Sequence, residues 1–361
     1  MKGKCYIQGM AAISPQHTFD GDLLSQPMAV TQGNMLSCVE PDYRAFIAPN
    51  SLRRMTRVLK MGLAASLKCL QDAAVAVPGA IVTGTGKGSL QDTERFIKEI
   101  RDFEERALNP TPFIQSTYNA VNGLIALQQK CTQYNNTFVH RGFSFEHALL
   151  DSMLLLSEGK PDVLAGAFDE ITTEHFFIKG RIGHWKKETI SSDTLYEHVS
   201  PGTISGEGAA FFLLTQEATA QSYAQLSGLQ MLYKPSPEKL QHALGQFLTQ
   251  HGVQPEDIDL VLSGANADSN HQHYYDVLNS YALGTQLPFK HLCGDYETAA
   301  AFALWLGASF LKQQQVPLQW FPMLKEQPRS LRNILIYNHF FGEQHSFMLL
   351  QKVDQTVSIK G

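Results

Sequence analysis

Cysteine is scarce in this chain, and none of it is paired. Five cysteines (Cys5, Cys38, Cys69, Cys131 and Cys293) are scattered over 361 residues with no C-x-x-C spacing. That pattern excludes a disulfide framework and a cysteine-based zinc site, and it suits a reducing compartment. A surplus of positive charge is missing too. The formal net charge of −5 leaves no electrostatic footprint for nucleic acid or an anionic membrane surface. No apolar run is long enough to cross a bilayer: the longest, AAAFALWLGASFL (299–311), reads as a buried core helix. The opening CYIQGMAAIS is interrupted by Gln8 and reads as a strand rather than a signal peptide, so the expected location is the cytoplasm. Short repeats, low-complexity tracts and long linkers are absent as well.

What is present is alternation. Strand-like segments at 5–13, 80–85, 137–140, 162–168 and 209–215 are separated by helical patterns at 52–74, 90–107 and 145–159. A second series has strands near 224–232, 259–265, 334–338 and 346–353 and helices near 237–251, 274–282 and 298–313. The order predicts an α/β protein of two pseudo-repeated halves, 1–220 and 221–361, packed as one compact unit. The stretches 180–201 and 319–332 are the expected mobile surface loops.

The turn between the predicted strand TFVH (137–140) and the helix FEHALLDSMLLLSEG (145–159) is the most telling place in the chain. A side chain aimed from a strand end at a helix N-terminus is a recurrent way to activate a nucleophile, because the backbone N–H groups and the helix dipole favour negative charge there. Here the turn reads His140-Arg141-Gly142-Phe143-Ser144, with no reactive group at its centre.

Several segments, in order, resemble the β-ketoacyl synthase family, whose members have the thiolase fold. They are GTGKGSL (84–90), NPTPFIQSTYNAVNGLIAL (109–127), EGKPDVLAGAFDE (158–170), SGEGAAFFLL (205–214), PEDIDLVLSGAN (255–266) and LPFKHLCGD (287–295). The resemblance implies a five-layered α/β/α/β/α fold. It also implies a cysteine that attacks an acyl thioester and two histidines that assist decarboxylation of the extender. In this sequence the cysteine position falls on Gly142, the first histidine on Gly264 and the second on Asp295, while Lys290 keeps the family's lysine. Glycine offers no nucleophile and no side-chain donor to an enolate oxygen, and an ionised Asp295 repels one. The family's glycine-rich gating loop is replaced by FFGEQH (340–345).

The joint loss resembles chain-length-factor subunits, which keep the fold, lack the nucleophile and pair with an active ketosynthase. Short divergent versions occur in aryl polyene and flexirubin-type pigment pathways. The resemblance thus implies a heterodimer with an active β-ketoacyl synthase, acyl carrier protein engaged through that complex, and no metal or organic cofactor. It places a vestigial pocket at Gly142, Ser144, Gly264, Lys290, Cys293, Asp295 and Phe341. It places a dimer interface at Asn119, Thr137, Phe138, Val139, His140 and Arg141, with strand 136–140 pairing antiparallel to a partner strand and helix 118–130 beside it. Two alternatives stay open: a divergent condensing or thioester-processing enzyme using Ser144 or Cys293, and a homodimeric acyl-binding pseudoenzyme.

Other motifs have plainer readings. GTGKG (84–88) fits neither the Walker pattern nor G-x-G-x-x-G and reads as a structural turn. Asp268, His271, His273 and Asp276 have metal-ligand types without ligand spacing and read as a solvated loop. Ser144 reads as a helix cap and Cys293 as a small core residue. Lys290 and Asp295 either pair inside the former pocket or one of them faces water. His140 and Arg141 either meet a partner or lie on open surface.

Overall fold

The computed structural model describes residues 4–20, 23–328 and 330–354. Ten strands form one mixed sheet: β1 (Tyr6–Ile13), β2 (Ala80–Gly84), β3 (Tyr134–Phe138), β4 (Asp162–Asp169), β5 (Gly208–Thr215), β6 (Ala224–Tyr233), β7 (Leu260–Ser263), β8 (Thr285–Pro288), β9 (Asn333–Phe340) and β10 (Gln344–Gln351). Their order is β3-β2-β4-β5-β1-β6-β10-β9-β7-β8, so each half of the chain supplies five neighbouring strands. The halves join through a short antiparallel β1–β6 contact, Tyr6 opposite Gln225 and Ile7 opposite Ala224.

The helices are α1 (Pro49–Leu52), α2 (Arg57–Asp72), α3 (Leu90–Asp102), α4 (Pro110–Gln115), α5 (Ala120–Gln129), α6 (Ser144–Ser157), α7 (Thr173–Arg181), α8 (Pro237–Gln250), α9 (Gln272–Tyr275), α10 (Lys290–Cys293) and α11 (Ala300–Gln313). Helices α6 and α11 touch strands of both halves and form the middle layer. This explains why α11 is apolar all round: every residue from Ala300 to Leu311 is buried, since both of its faces meet sheet. The amphipathic α2, with α5 beside it, covers the outer face of the first half, and α8 covers that of the second. Alternate strand residues feed these separate cores, as the period-2 pleat requires: Ile336 joins the central cluster, while Leu335 and Tyr337 join the outer one. The architecture is thus the thiolase-like layering that the resemblance implies.

Three expectations need correction. Strand β3 runs from Tyr134 to Phe138, so Val139 and His140 have already left it. Segment 180–201 is packed rather than mobile surface, because Trp185, Lys186, Ile190, Ser192 and Leu195 are buried in it and Ile190 and Leu195 share a small core with Leu36, Ile204 and Ala267. Trp320, Phe321 and Leu331 likewise anchor 319–332, of which residue 329 lies outside the described residues. Helices α4 and α7, and strand β8, lie where no regular pattern was read.

Candidate functional site

Strand β3 exits into a single 3-10 turn, Arg141–Phe143, that leads directly into α6, with Arg141 in the left-handed region at φ +52°. Gly142 sits at its centre, buried, and its surroundings are filled. A Cβ built on Gly142 stands 2.3 Å from Phe340 Cβ, 2.8 Å from Phe340 Cγ and 3.2 Å from Gln344 Oε1. The Gly142 N–H, the group a nucleophile turn would aim at a developing oxyanion, donates to Gln344 Oε1 at 2.9 Å. Gln344 Nε2 in turn donates to the His140 carbonyl at 3.0 Å, so one side-chain amide clamps both sides of the turn.

The other two positions that the resemblance marks are equally built in. A Cβ on Gly264 stands 2.2 Å from Asn338 Oδ1 and 2.9 Å from Tyr275 Oη. Asp295 and Lys290 form a buried ion pair, Nζ to Oδ1 at 2.6 Å, with side chains 1% and 0% exposed respectively. The second Asp295 oxygen accepts from Asn266 Nδ2 at 2.9 Å. Neither member of the pair faces water. Both carboxylate oxygens are hydrogen-bonded, which is what allows the charges to remain buried.

Neither substitute nucleophile is poised to react. The Ser144 hydroxyl donates to the Arg141 carbonyl at 2.7 Å and accepts the His140 N–H at 2.8 Å, as a turn-closing cap. The Cys293 thiol is fully buried, and burial pushes its pKa up to about 12, away from the thiolate that attacks carbonyls. Phe341 occupies the left-handed region at φ +48°, its ring 4.0 Å from that of His184. A non-glycine residue held there is a local strain fixed by surrounding packing.

The pocket has one further acid that the sequence reading missed. Glu146, in the first turn of α6, is fully buried; its Oε1 accepts from Ser346 Oγ at 2.8 Å and its Oε2 has no hydrogen-bond partner. Burial, only partly offset by Ser346 and the Lys290 charge, raises its pKa to about 7. Phe340, Gln344, Asn338 and Tyr275 were also missed. The one available signal was the Phe340-Phe341 pair where the family loop is glycine-rich.

The residues expected at an interface lie together at the sheet edge. Thr137 and Phe138 are half-buried; Asn119, Val139, His140 and Arg141 are exposed. His140 stacks on His147, with Nδ1 2.9 Å from Nε2, and Arg141 pairs with Glu343 at 2.5 Å. Both side chains therefore have partners within this chain. A groove of about 600 Å³ runs along β3, lined by residues 116–119, 135–137 and 139. Tyr118, which lines this groove, is exposed, as are Phe113 and Ile114 of α4 and Leu127 of α5.

The remaining motifs serve structure. Asp169 accepts from Gly86 N, Lys87 N and the Thr85 and Thr298 hydroxyls, and Lys87 pairs with Glu297 at 2.6 Å. The GTGKG turn is thereby closed by the protein's own groups. Asp268 is not solvated as expected: it is buried and accepts from Gly202 N and Asn270 N. Among the described residues no group of three or more His, Cys, Asp or Glu side chains is placed to hold a metal ion. No helix among them is long and apolar enough to cross a membrane.

Comparison with known proteins bears on the fold. Residues 30–179 match the family model described as beta-ketoacyl synthase, N-terminal domain. Among solved structures, the ishigamide ketosynthase/chain length factor is 15% identical at TM-score 0.79, covering 98% of this chain and 100% of its own. A beta-ketoacyl synthase from Burkholderia phymatum is 14% identical with the same TM-score and coverages. A ketosynthase in complex with its chain length factor from Xenorhabdus doucetiae is 15% identical at TM-score 0.76, covering 97% of this chain and 98% of that one. No curated protein matches the chain in sequence. At these identities the structural likeness establishes the fold, which is that of ketosynthases over 97–98% of the chain.

Proposed function

We propose that this chain is a subunit without condensing chemistry of its own, which pairs with an active β-ketoacyl synthase and helps shape the tunnel that sets acyl or polyene chain length. The observation that carries the reading is the filling of position 142 by Phe340 and Gln344. A vacated nucleophile site would leave room for a side chain; here the space and the N–H are both taken. The Lys290–Asp295–Asn266 arrangement and the Asn338–Tyr275 wall at Gly264 point the same way, since each replaces reactive groups by groups that bond to one another or block the space.

Pairing is supported by the exposed edge of β3, the groove beside it and the apolar side chains around it, a face of the kind that other chains cover. The solved complex of a ketosynthase with its chain length factor supplies the precedent for the partner class. Carrier protein would be engaged through that partner, and the pigment-type pathway remains the preferred setting. The test is co-expression with a candidate Cys-His-His ketosynthase, followed by native mass spectrometry. A one-to-one complex that elongates a carrier-bound acyl chain, with neither subunit active alone, is expected; elongation by this chain alone overturns the reading.

A further inference from the structure

The outer edge of β3 is open to a partner, but one of its N–H groups is already bonded by the chain's own side chain. β3 pairs in parallel with β2 on one side only. The Phe138 carbonyl accepts from Thr85 N at 3.0 Å, on the β2 side. Strand alternation therefore turns the N–H of Thr137 to the free side, where an added strand would bond. That N–H is already taken: it donates to Oδ1 of Asn136 at 2.9 Å. The Asn136 amide is pinned from its other end, Nδ2 donating to Tyr134 Oη at 3.2 Å, and Tyr134 Oη donates to Asp151 Oδ2 on α6 at 3.1 Å. On the opposite face Asn122 Nδ2 donates to the Asn136 carbonyl at 2.7 Å. The relay Asp151–Tyr134–Asn136 thus lays a side chain across the one strand edge that borders the groove.

We propose that this relay guards β3 against pairing with a second copy of the same chain, leaving the edge for one extended strand of a non-identical partner that carries no such guard. The argument is one of number. A twofold self-pair must displace two Asn136 side chains with their Tyr134 contacts, one from each strand, whereas a heterodimer displaces one; in both cases each freed Thr137 N–H takes a partner carbonyl. Natural proteins commonly protect exposed strand edges against unwanted strand addition. The inference names the selectivity of the interface in the proposed function, and that reading supplies its choice of partner; the guard itself rests on the geometry above.

Sedimentation velocity of the full chain alone tests it, comparing wild type with Asn136→Thr and Tyr134→Phe, and with backbone amide exchange read at Thr137. Asn136→Thr should self-associate about tenfold more tightly, the worth of two modest exposed hydrogen bonds. Tyr134→Phe, which keeps the ring and the fold but unpins Asn136, should show a smaller shift in the same direction. At concentrations where both proteins are monomeric, Thr137 exchange should be faster in Asn136→Thr. A wild-type chain that is already a tight dimer through β3, or variants with unchanged self-association and unchanged Thr137 exchange, overturns the guard. Failure of both wild type and variant to bind the ketosynthase would instead count against the functional reading, with the self-association comparison still deciding the guard.

Discussion

The Cβ of Phe340 lies 2.3 Å from where a Cβ of residue 142 would sit, so Phe340 leaves no room for a side chain at position 142. The two residues fit each other: the turn carries no side chain where the Phe340 side chain facing it fills the space. Losing a nucleophile needs a single substitution, but filling its space makes the loss structural.

Restoring cysteine at position 142 should therefore destabilise the protein and confer no activity. Overpacking of a tight site costs about 1–3 kcal/mol. Urea unfolding of Gly142→Cys, Phe340→Ala and the double variant gives the check. The double variant is expected to lose at least 1 kcal/mol less than the sum of the single losses, because the two sites touch.

Breaking the Lys290–Asp295 pair should cost about 3–5 kcal/mol, since either single substitution strands a buried charge. Asp295→His, the residue the resemblance implies at this position, is expected to fall in this class, with no gain of activity. Lys290→Met combined with Asp295→Leu should cost clearly less than the two single changes added together. Unfolding free energies of the three variants measure this.

Glu146 gives the fold a pH dependence of one sign. Its folded pKa is raised by burial to about 7 from 4.5, so the native state binds the proton more tightly than the unfolded chain. The contribution is fully present below pH 4.5 and is lost as pH rises through 7. Glu146→Gln should gain stability relative to wild type across that window, by up to about 3 kcal/mol at pH 8. Denaturation midpoints at pH 5 and pH 8 for both proteins provide the comparison.

The buried histidines act in the opposite direction. His291 and His345 are held neutral by burial, each with its pKa lowered to about 4 from 6.5, and His339 is lowered as well. Their stabilising contribution is present above pH 6.5 and is lost as pH falls toward 4. Thermal midpoints should therefore drop steeply below pH 6, and His345→Asn should flatten part of that slope.

Much of the fold is legible in the sequence because period-2 and helical patterns survive wherever one face is buried. The all-apolar run at 299–311 announces the central helix, and the strands of both halves carry their β-branched and aromatic residues. Short elements were less visible: β8 has four residues, and α7 has no buried residue to leave a pattern. At the site, Gly142, Gly264 and Asp295 stand out by comparison with a family pattern. What fills the space around them does not, because Phe340, Gln344, Asn338 and Tyr275 arrive from strands and turns distant in sequence. The Lys290–Asp295 pair was legible as a possibility since five residues separate its members. Its third partner, Asn266, comes from another loop.

The central claim, that this chain contributes architecture and a partner contributes the chemistry, is most directly tested by intact-protein mass spectrometry of the reconstituted complex after incubation with acyl-loaded carrier protein. The account predicts an acyl adduct on the ketosynthase alone, abolished by alanine at that subunit's cysteine, and no mass shift on this chain. An acyl adduct on this chain, whether at Ser144, Cys293 or elsewhere, would contradict it.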